Sequence, residues 1–568
     1  MLRIGSIAAL CGVFLVIEAA AGEMQPPRVT RAAVDWNGAA AALGEIAALQ
    51  AVHSADAAPS GAAVGRLNAA TGAWFSGIAA TPVPVLLPFD TDAFLHDRAA
   101  GGPAGDPAAY SFGLGPPAFF APGPAGYDAT YRFRLSALPD LAGIRFERDV
   151  VVAISGSLLI YELDPPAPGA GKDVPALAAD FPGIRRILTE DHVRYSFVRF
   201  GVPYVVALPC FDGPSARYRR MACRDADRVL VRFIRLLRIA GGAPQLPART
   251  LAPPPARPAA TSPSFTYNGP GRLAPGAGFH GNGGRTDFTV YSAIRFPLAE
   301  APVFVNTQRF ARRNAGRIRS YPWRDNFCER RAFHVGQCPA GLGHQGEDIL
   351  AAPCSRTSPG ADRCSAHKND VVAVRDGVIM RESGQEAVYL VVNTPTEHLR
   401  VRYLHMQPKL LDAAGVVSGR AVRAGEVIGQ IGNFDGHENG TSYHLHFDIQ
   451  VPTRAGWVFV NPYMTLVASY ERLIGGRGVE RPDLVASAPS AVGDASEPST
   501  APPITLAEIR QAILPPGGAD TAGAPAHHCG AAHRHAHGCA GVHARGLRYG
   551  RRRRAAALPP LLQRGPYD

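Results

Sequence analysis

The sequence predicts a multidomain protein: an N-terminal mixed α+β domain, a C-terminal mainly-β domain and a disordered C-terminal tail. Three observations carry this expectation. At 568 residues the chain is too long for a single hydrophobic core. Between about 320 and 470, short apolar runs alternate with glycine turns and helical spacing is scarce. After about Gly478 the chain becomes Ala, Pro and Ser, then His and Arg, which cannot bury a core.

Residues 1–21 read as a secretory signal peptide. One Arg precedes the apolar run Ile4 to Ile17, and small residues Ala19-Ala20-Ala21 follow. The run is shorter than the roughly 20 residues that span a bilayer, so no stable membrane insertion is expected after cleavage near Ala21. An exported location, periplasmic or extracellular, follows. Without Cys11 eight cysteines remain, in close couples: Cys210 and Cys223, Cys328 and Cys338, Cys354 and Cys364, Cys529 and Cys539. In an exported chain this favours disulfides, with neighbour pairing the simplest choice.

Residues 22–125 are rich in Ala, Gly and Pro, with little periodic signal. Over 126–242, the N-terminal α+β domain, Val150 to Ile154 and Leu158 to Tyr161 read as strands around Gly156. Tyr195 to Leu208 continues as strand, interrupted at Gly201 and Pro203. Asp225 to Ile239 reads as a helix, with Arg228, Arg232, Arg235 and Arg238 on one solvated stripe. Residues 243–278, with Pro253-Pro254-Pro255, suit an extended linker. Strand-like runs resume at Phe288 to Ile294, opening the C-terminal domain at 279–475.

Residues 476–568 form the tail, with a possible short helix near Leu506 to Leu514. From His527 onward its eight Arg and one Asp give +7 of the formal +11, so the folded part is only mildly basic. No nucleic-acid motif accompanies the charge, and no nucleic-acid partner is expected. The tail histidines His527, His528, His533, His535, His537 and His543 could bind extra metal ions or simply reflect composition.

The chemistry concentrates in 341–463. Gly341-Leu342-Gly343-His344-Gln345-Gly346-Glu347-Asp348 is followed by Tyr403-Leu404-His405-Met406 and by Tyr443-His444-Leu445-His446-Phe447-Asp448. Zinc takes imidazole nitrogen and carboxylate oxygen, and a catalytic site needs three protein ligands and one open position. In a strand His444 and His446 share a face, so one can bind metal while the other stands beside its water. Asp370 to Ile379 and Val422 to Gly432 each read as strand-turn-strand.

These residues resemble the lysostaphin/LytM-type zinc metalloendopeptidases of the duplicated-hybrid-motif family, which cleave peptidoglycan peptides. The resemblance runs from Gly341 to Tyr463 and implies a small antiparallel β-sheet, LytM-like, with its site in an open groove. It implies one Zn2+ held by His344, Asp348 and His446, with His405 and His444 as catalytic residues and a peptidoglycan peptide as substrate. His444 is the expected base, with His405 stabilising the oxyanion or helping to protonate the leaving amine. The glycine turn before His-x-His is matched by Gly425 to Gly432. Two departures, the loop carrying Cys354 and Cys364 and the long Asn433 to Ser442 segment, bear on substrate preference. The alternative is a non-catalytic domain of the same fold that binds or activates a separate wall hydrolase. Such relatives typically lose zinc ligands, whereas all three are present here.

Overall fold

Seven runs of the N-terminal half assemble into an antiparallel sheet. Its spatial order is Phe119–Gly123, Gly126–Phe133, Val150–Ser157, Val202–Pro209, His192–Arg199, Arg185–Leu188 and Lys172–Asp173. The interruption at Gly201 is a two-residue hairpin turn: Phe200 (φ 52) and Gly201 (φ 74) are both left-handed, as a tight turn of right-twisted strands requires. The computed structural model describes residues 23–43, 59–99, 106–141, 143–163, 171–189, 192–210, 221–244, 263–274, 286–307, 322–331, 335, 338, 342–351 and 368–481. The expected signal peptide, Cys354, Cys364, His367 and everything after residue 481 lie outside them.

The helix Cys223–Arg235 covers this sheet. Ala226, Val229, Leu230, Phe233 and Ile234 recur at three- and four-residue spacing and are all fully buried. Each of the larger four contributes roughly 1.5–3 kcal/mol through burial. A Cys210–Cys223 disulfide ties the helix start to the sheet. The helix stops earlier than its periodicity predicts. Leu236 caps it, and Leu237–Gly241 pairs with Val85–Pro88 as a strand in which Leu237, Ile239 and Ala240 are buried. The arginine stripe is occupied at the surface: Arg232 pairs with Asp140, and Arg235 and Arg238 donate to backbone carbonyls. Residues 22–125 lack periodicity yet supply part of this core, through Val64, Leu67, Phe75, Leu86 and Phe89.

The second sheet is also antiparallel. Its order is Val303–Val305, Glu347–Ala351, Leu445–Thr453, His398–Leu404, Val388–Asn393, Gly377–Met380 and Ala421–Val422, with Gly456–Val460 on Leu445–Thr453. Three sequence expectations change here. The two strand-turn-strand units do not close on themselves: Asp370–Val372 pairs with Val427–Gln430, and Gly377–Met380 with Ala421–Val422, so each unit is the other's partner. Phe288 to Ile294 forms no strand, only a bridge from Gln25 to Thr289. Within the expected linker Pro263–Asn268 is a strand, and it pairs in parallel with Arg477–Arg481 at the start of the expected tail.

The two sheets meet over a buried polar seam. Asp128 accepts from His398 Nε2 at 3.0 Å and Arg400 Nε at 2.8 Å, while His398 Nδ1 stands 2.9 Å from Ser157 Oγ. Arg194 donates to Gln450 and lies 4.7 Å from the Phe459 ring, and Arg400 lies 4.5 Å from the Trp457 ring. Gly456 packs where a Cβ would sit 2.1 Å from Ser196 Oγ. Burial pushes the Asp128 carboxyl up, but the Arg400 and His398 charges outweigh it and hold it below the usual carboxylate range. The described residues all belong to one compact unit.

Candidate metal centre

Sheet register sets the centre. Asp348, on Glu347–Ala351, lies directly opposite His446, on Leu445–Thr453, and His446 lies opposite Leu404, the residue before His405. His344 enters from the preceding turn. Its backbone is clasped by the Cys328 to Cys338 segment, with Cys328 N–H donating to the His344 carbonyl and His344 N–H to the Glu329 carbonyl, each at 2.9 Å. The Cys328–Cys338 disulfide closes this clasp, and Gly343 leaves room for it: a Cβ there would sit 2.8 Å from Cys338 Sγ. Gly346 likewise lets the strand approach, where a Cβ would be 2.8 Å from His446 Nε2.

His344, Asp348 and His446 are buried, and their candidate ligand atoms all lie within 4.8 Å of one another. His344 Nε2 is 3.2 Å from Asp348 Oδ1, His446 Nδ1 is 3.6 Å from it, and the two nitrogens are 2.9 Å apart. Donors about 2.0–2.1 Å from a tetrahedral zinc ion sit about 3.3 Å from one another. The set therefore fits such a cation in both spacing and donor chemistry.

The orientation of each ring follows from partners that only accept hydrogen bonds. His344 Nδ1 donates to the Asn326 carbonyl (3.1 Å), which leaves Nε2 as the inward lone pair. His446 Nε2 faces Asp448 Oδ2 at 3.3 Å, which leaves Nδ1 inward. Asp448 is in turn fixed by Arg402 Nε and by Gln450 Nε2 at 3.2 Å. Such outer partners lock the tautomer of a ligating imidazole. Burial works against charge on His446, yet the Asp348 and Asp448 carboxylates outweigh it and push the imidazolium up to about 9. The pocket thus favours positive charge at this point.

Asp348 is shaped by the same balance. Burial raises its carboxyl, but His344 and His444 more than compensate and hold it well below the ordinary range. Its Oδ2 faces Arg331 Nη2 at 3.6 Å, and that guanidinium also pairs with Glu329 at 3.2 Å. Glu347 is pushed well above its ordinary value by burial and by neighbouring Asp325, whose carboxyl burial also raises.

His405 and His444 stand together beside this group, with ring centroids 4.5 Å apart. His444 Nδ1 donates to the Ser442 carbonyl at 2.6 Å, and its Nε2 lies 3.4 Å from Asp348 Oδ1. His405 Nδ1 donates to the Phe434 carbonyl at 2.8 Å. Burial, and then His444 and His446, hold the His405 imidazole well below its ordinary value. Its backbone is left-handed (φ 74), and Gly432 leaves space for that turn: a Cβ there would lie 2.3 Å from the His405 carbonyl oxygen. The five residues singled out in the sequence thus converge on one point. Sequence reasoning missed Asn326, Arg331, Arg402 and Asp448, of which Asp448 carried a signal: it sits two residues past His446, hence on the same strand face.

The β-sheet thus carries a buried two-histidine, one-carboxylate set that could hold a metal ion, with two more imidazoles beside it. Residues 356–462, in the C-terminal region, match the model of peptidase family M23. His405, His444 and His446 lie within the matched segment, and His344 and Asp348 precede it. One solved structure, from Ruminococcus gnavus ATCC 29149 and named as a candidate glycyl-glycine endopeptidase lytM, is 22% identical with a TM-score of 0.20. The match covers 33% of this chain and 62% of that one, under two thirds of that protein's length. No curated protein matches the chain. Among the described residues no helix is long and apolar enough to cross a membrane.

Proposed function

We propose that the chain is an exported zinc-dependent endopeptidase that hydrolyses peptide bonds in bacterial peptidoglycan. The observation that carries this reading is the orientation of four imidazoles around Asp348. Each has one ring nitrogen committed to an outer acceptor, so the other is turned inward, where it can bind a metal or exchange a proton. His344 Nε2, Asp348 Oδ1 and His446 Nδ1 would hold the ion. Zinc, when bound, polarises a scissile carbonyl and brings the pKa of its water towards ~7.

The protein's own residues do the rest. His444 Nε2 is the base that takes the water proton, with the Ser442 carbonyl steadying the imidazolium that results. His405 starts as a neutral acceptor beside it, so it donates to an oxyanion or to the leaving amine only after sharing that proton. Arg402 and Asp448 keep His446 in its ligating tautomer throughout.

Mass spectrometry of fragments released from purified wall tests the reading. Peptide-bond products that disappear on adding chelator and return with zinc are expected. Absence of such products from metal-loaded protein would overturn it.

A further inference from the structure

A cleft of about 510 Å³ lies where the two sheets part, lined from both sides. Its N-terminal wall comes from Arg132 and Arg134 and from the 146–151 segment. Its C-terminal wall comes from Glu382 to Ala387, and Phe434 and Gly436 also line it. Phe434 is the residue whose carbonyl orients His405, so a single residue links the cleft lining to that imidazole. The Gly436 N–H donates to Glu386 Oε2 at 3.0 Å, which fixes that shared loop to the C-terminal wall. Arg132 spans the cleft, pairing with Asp149 at 2.7 Å on its own side and with Glu382 at 3.3 Å on the other. The walls are also held at a set separation by the buried Asp128, His398 and Arg400 group.

The charges say what kind of ligand suits it. Arg132, Arg134 and Arg148 face Glu147, Asp149, Glu382 and Glu386, so the cleft has no excess positive charge for a polyanion. Arg132 and Arg134 are both committed to Asp149. Arg148 is exposed and makes no ion pair among the described residues, and exposed Glu147 stands beside it. A guanidinium in that position recognises a carboxylate through two parallel hydrogen bonds.

We propose that this cleft is the channel through which a peptide reaches His405 and His444, with Arg148 binding a free carboxylate of that peptide. The N-terminal domain is then one wall of the substrate site. The inference rests on the peptidase reading for what happens at the inner end of the channel, but binding in the cleft is measurable without turnover.

The test uses the full chain and two probes, a wall stem tetrapeptide with free carboxylates and the same peptide amidated. Affinity is measured by calorimetry and cleavage by chromatography, for wild type, Arg148→Ala and Arg148→Glu. Arg148→Ala is expected to weaken the acid form about tenfold, and Arg148→Glu more, with the amide form, zinc content and melting temperature unchanged. Unchanged affinity for the acid form, equal weakening of both forms, or no binding to wild type would overturn the inference. If wild type binds the peptide in an Arg148-dependent way yet releases no peptide-bond products from purified wall, the peptidase reading fails and the channel stands. If it cleaves both without regard to Arg148, the channel alone fails.

Discussion

Replacing Asp448 with Asn removes the partner that fixes His446 while changing almost no volume. Asp448 is fully buried and accepts from three donors: His446 Nε2 at 3.3 Å, Arg402 Nε, and Gln450 Nε2 at 3.2 Å. His446 Nε2 and Arg402 Nε both fall on Oδ2, so the one acceptor oxygen of an asparagine can stay there only by turning its amide N–H onto Gln450 Nε2, and it is a neutral acceptor where a carboxylate stood. The ligating tautomer is then held by a weaker, uncharged acceptor, and losing such an outer carboxylate typically costs 10–100-fold in metal affinity, or about 1.4–2.7 kcal/mol. The buried Arg402 also loses its counter-charge, which costs at most about 3–5 kcal/mol of stability. Zinc affinity would be measured by competition with a chromogenic chelator near pH 7, below the melting temperature of the zinc-free variant. A folded Asp448→Asn protein that binds zinc within a factor of two of wild type would refute the argument.

Other outcomes follow from the same geometry. His446→Ala is expected to abolish both zinc binding and cleavage, whereas His444→Ala keeps zinc and loses about 10²–10⁴-fold in turnover; full activity in zinc-loaded His444→Ala would sink the base assignment. Cys328→Ser with Cys338→Ser opens a bridge spanning 10 residues and is expected to cost ~2.7 kcal/mol by loop closure at 25 °C. Weaker zinc binding should accompany it, because His344 loses its clasp; unchanged melting and affinity would argue that the bridge is incidental. The Asp128 carboxyl is depressed in the fold, so its stabilisation is present above the unfolded value near 3.9 and fades as pH falls further through the folded value. Asp128→Asn should therefore lower melting temperature at neutral pH and flatten its fall below about pH 4; an equally steep acid limb in the variant would count against that role.

The parts legible in the sequence are those with local rules. His344, Asp348, His405, His444 and His446 were visible because their types and order are distinctive. The break at Gly201 was visible because a tight turn needs left-handed backbone. Cys210 with Cys223 and Cys328 with Cys338 pair as neighbours, as their spacing suggested. What escaped depends on partners far along the chain. The carbonyls of Asn326, Ser442 and Phe434 orient three imidazoles, and a backbone carbonyl has no sequence signature. Helical spacing in Asp225 to Ile239 could not reveal that Leu237 onward finds a strand at Val85–Pro88. The two strand-turn-strand signals were real, but apolar alternation does not say which strand pairs with which.

The register that sets Asp348 opposite His446 also has a bearing on how the protein folds. The donors His344 and His446 are separated by 102 positions and meet only once Glu347–Ala351 has annealed to Leu445–Thr453. Closing so long a loop is slow and must precede any reward from the contact. A cation therefore has no preformed claw to grip in the unfolded chain, unlike a zinc finger whose ligands are near neighbours. A bound ion would arrive as a late guest in a sheet already assembled around buried Leu445, Phe447 and Ile449. Stripping it should silence the protein and leave its architecture standing.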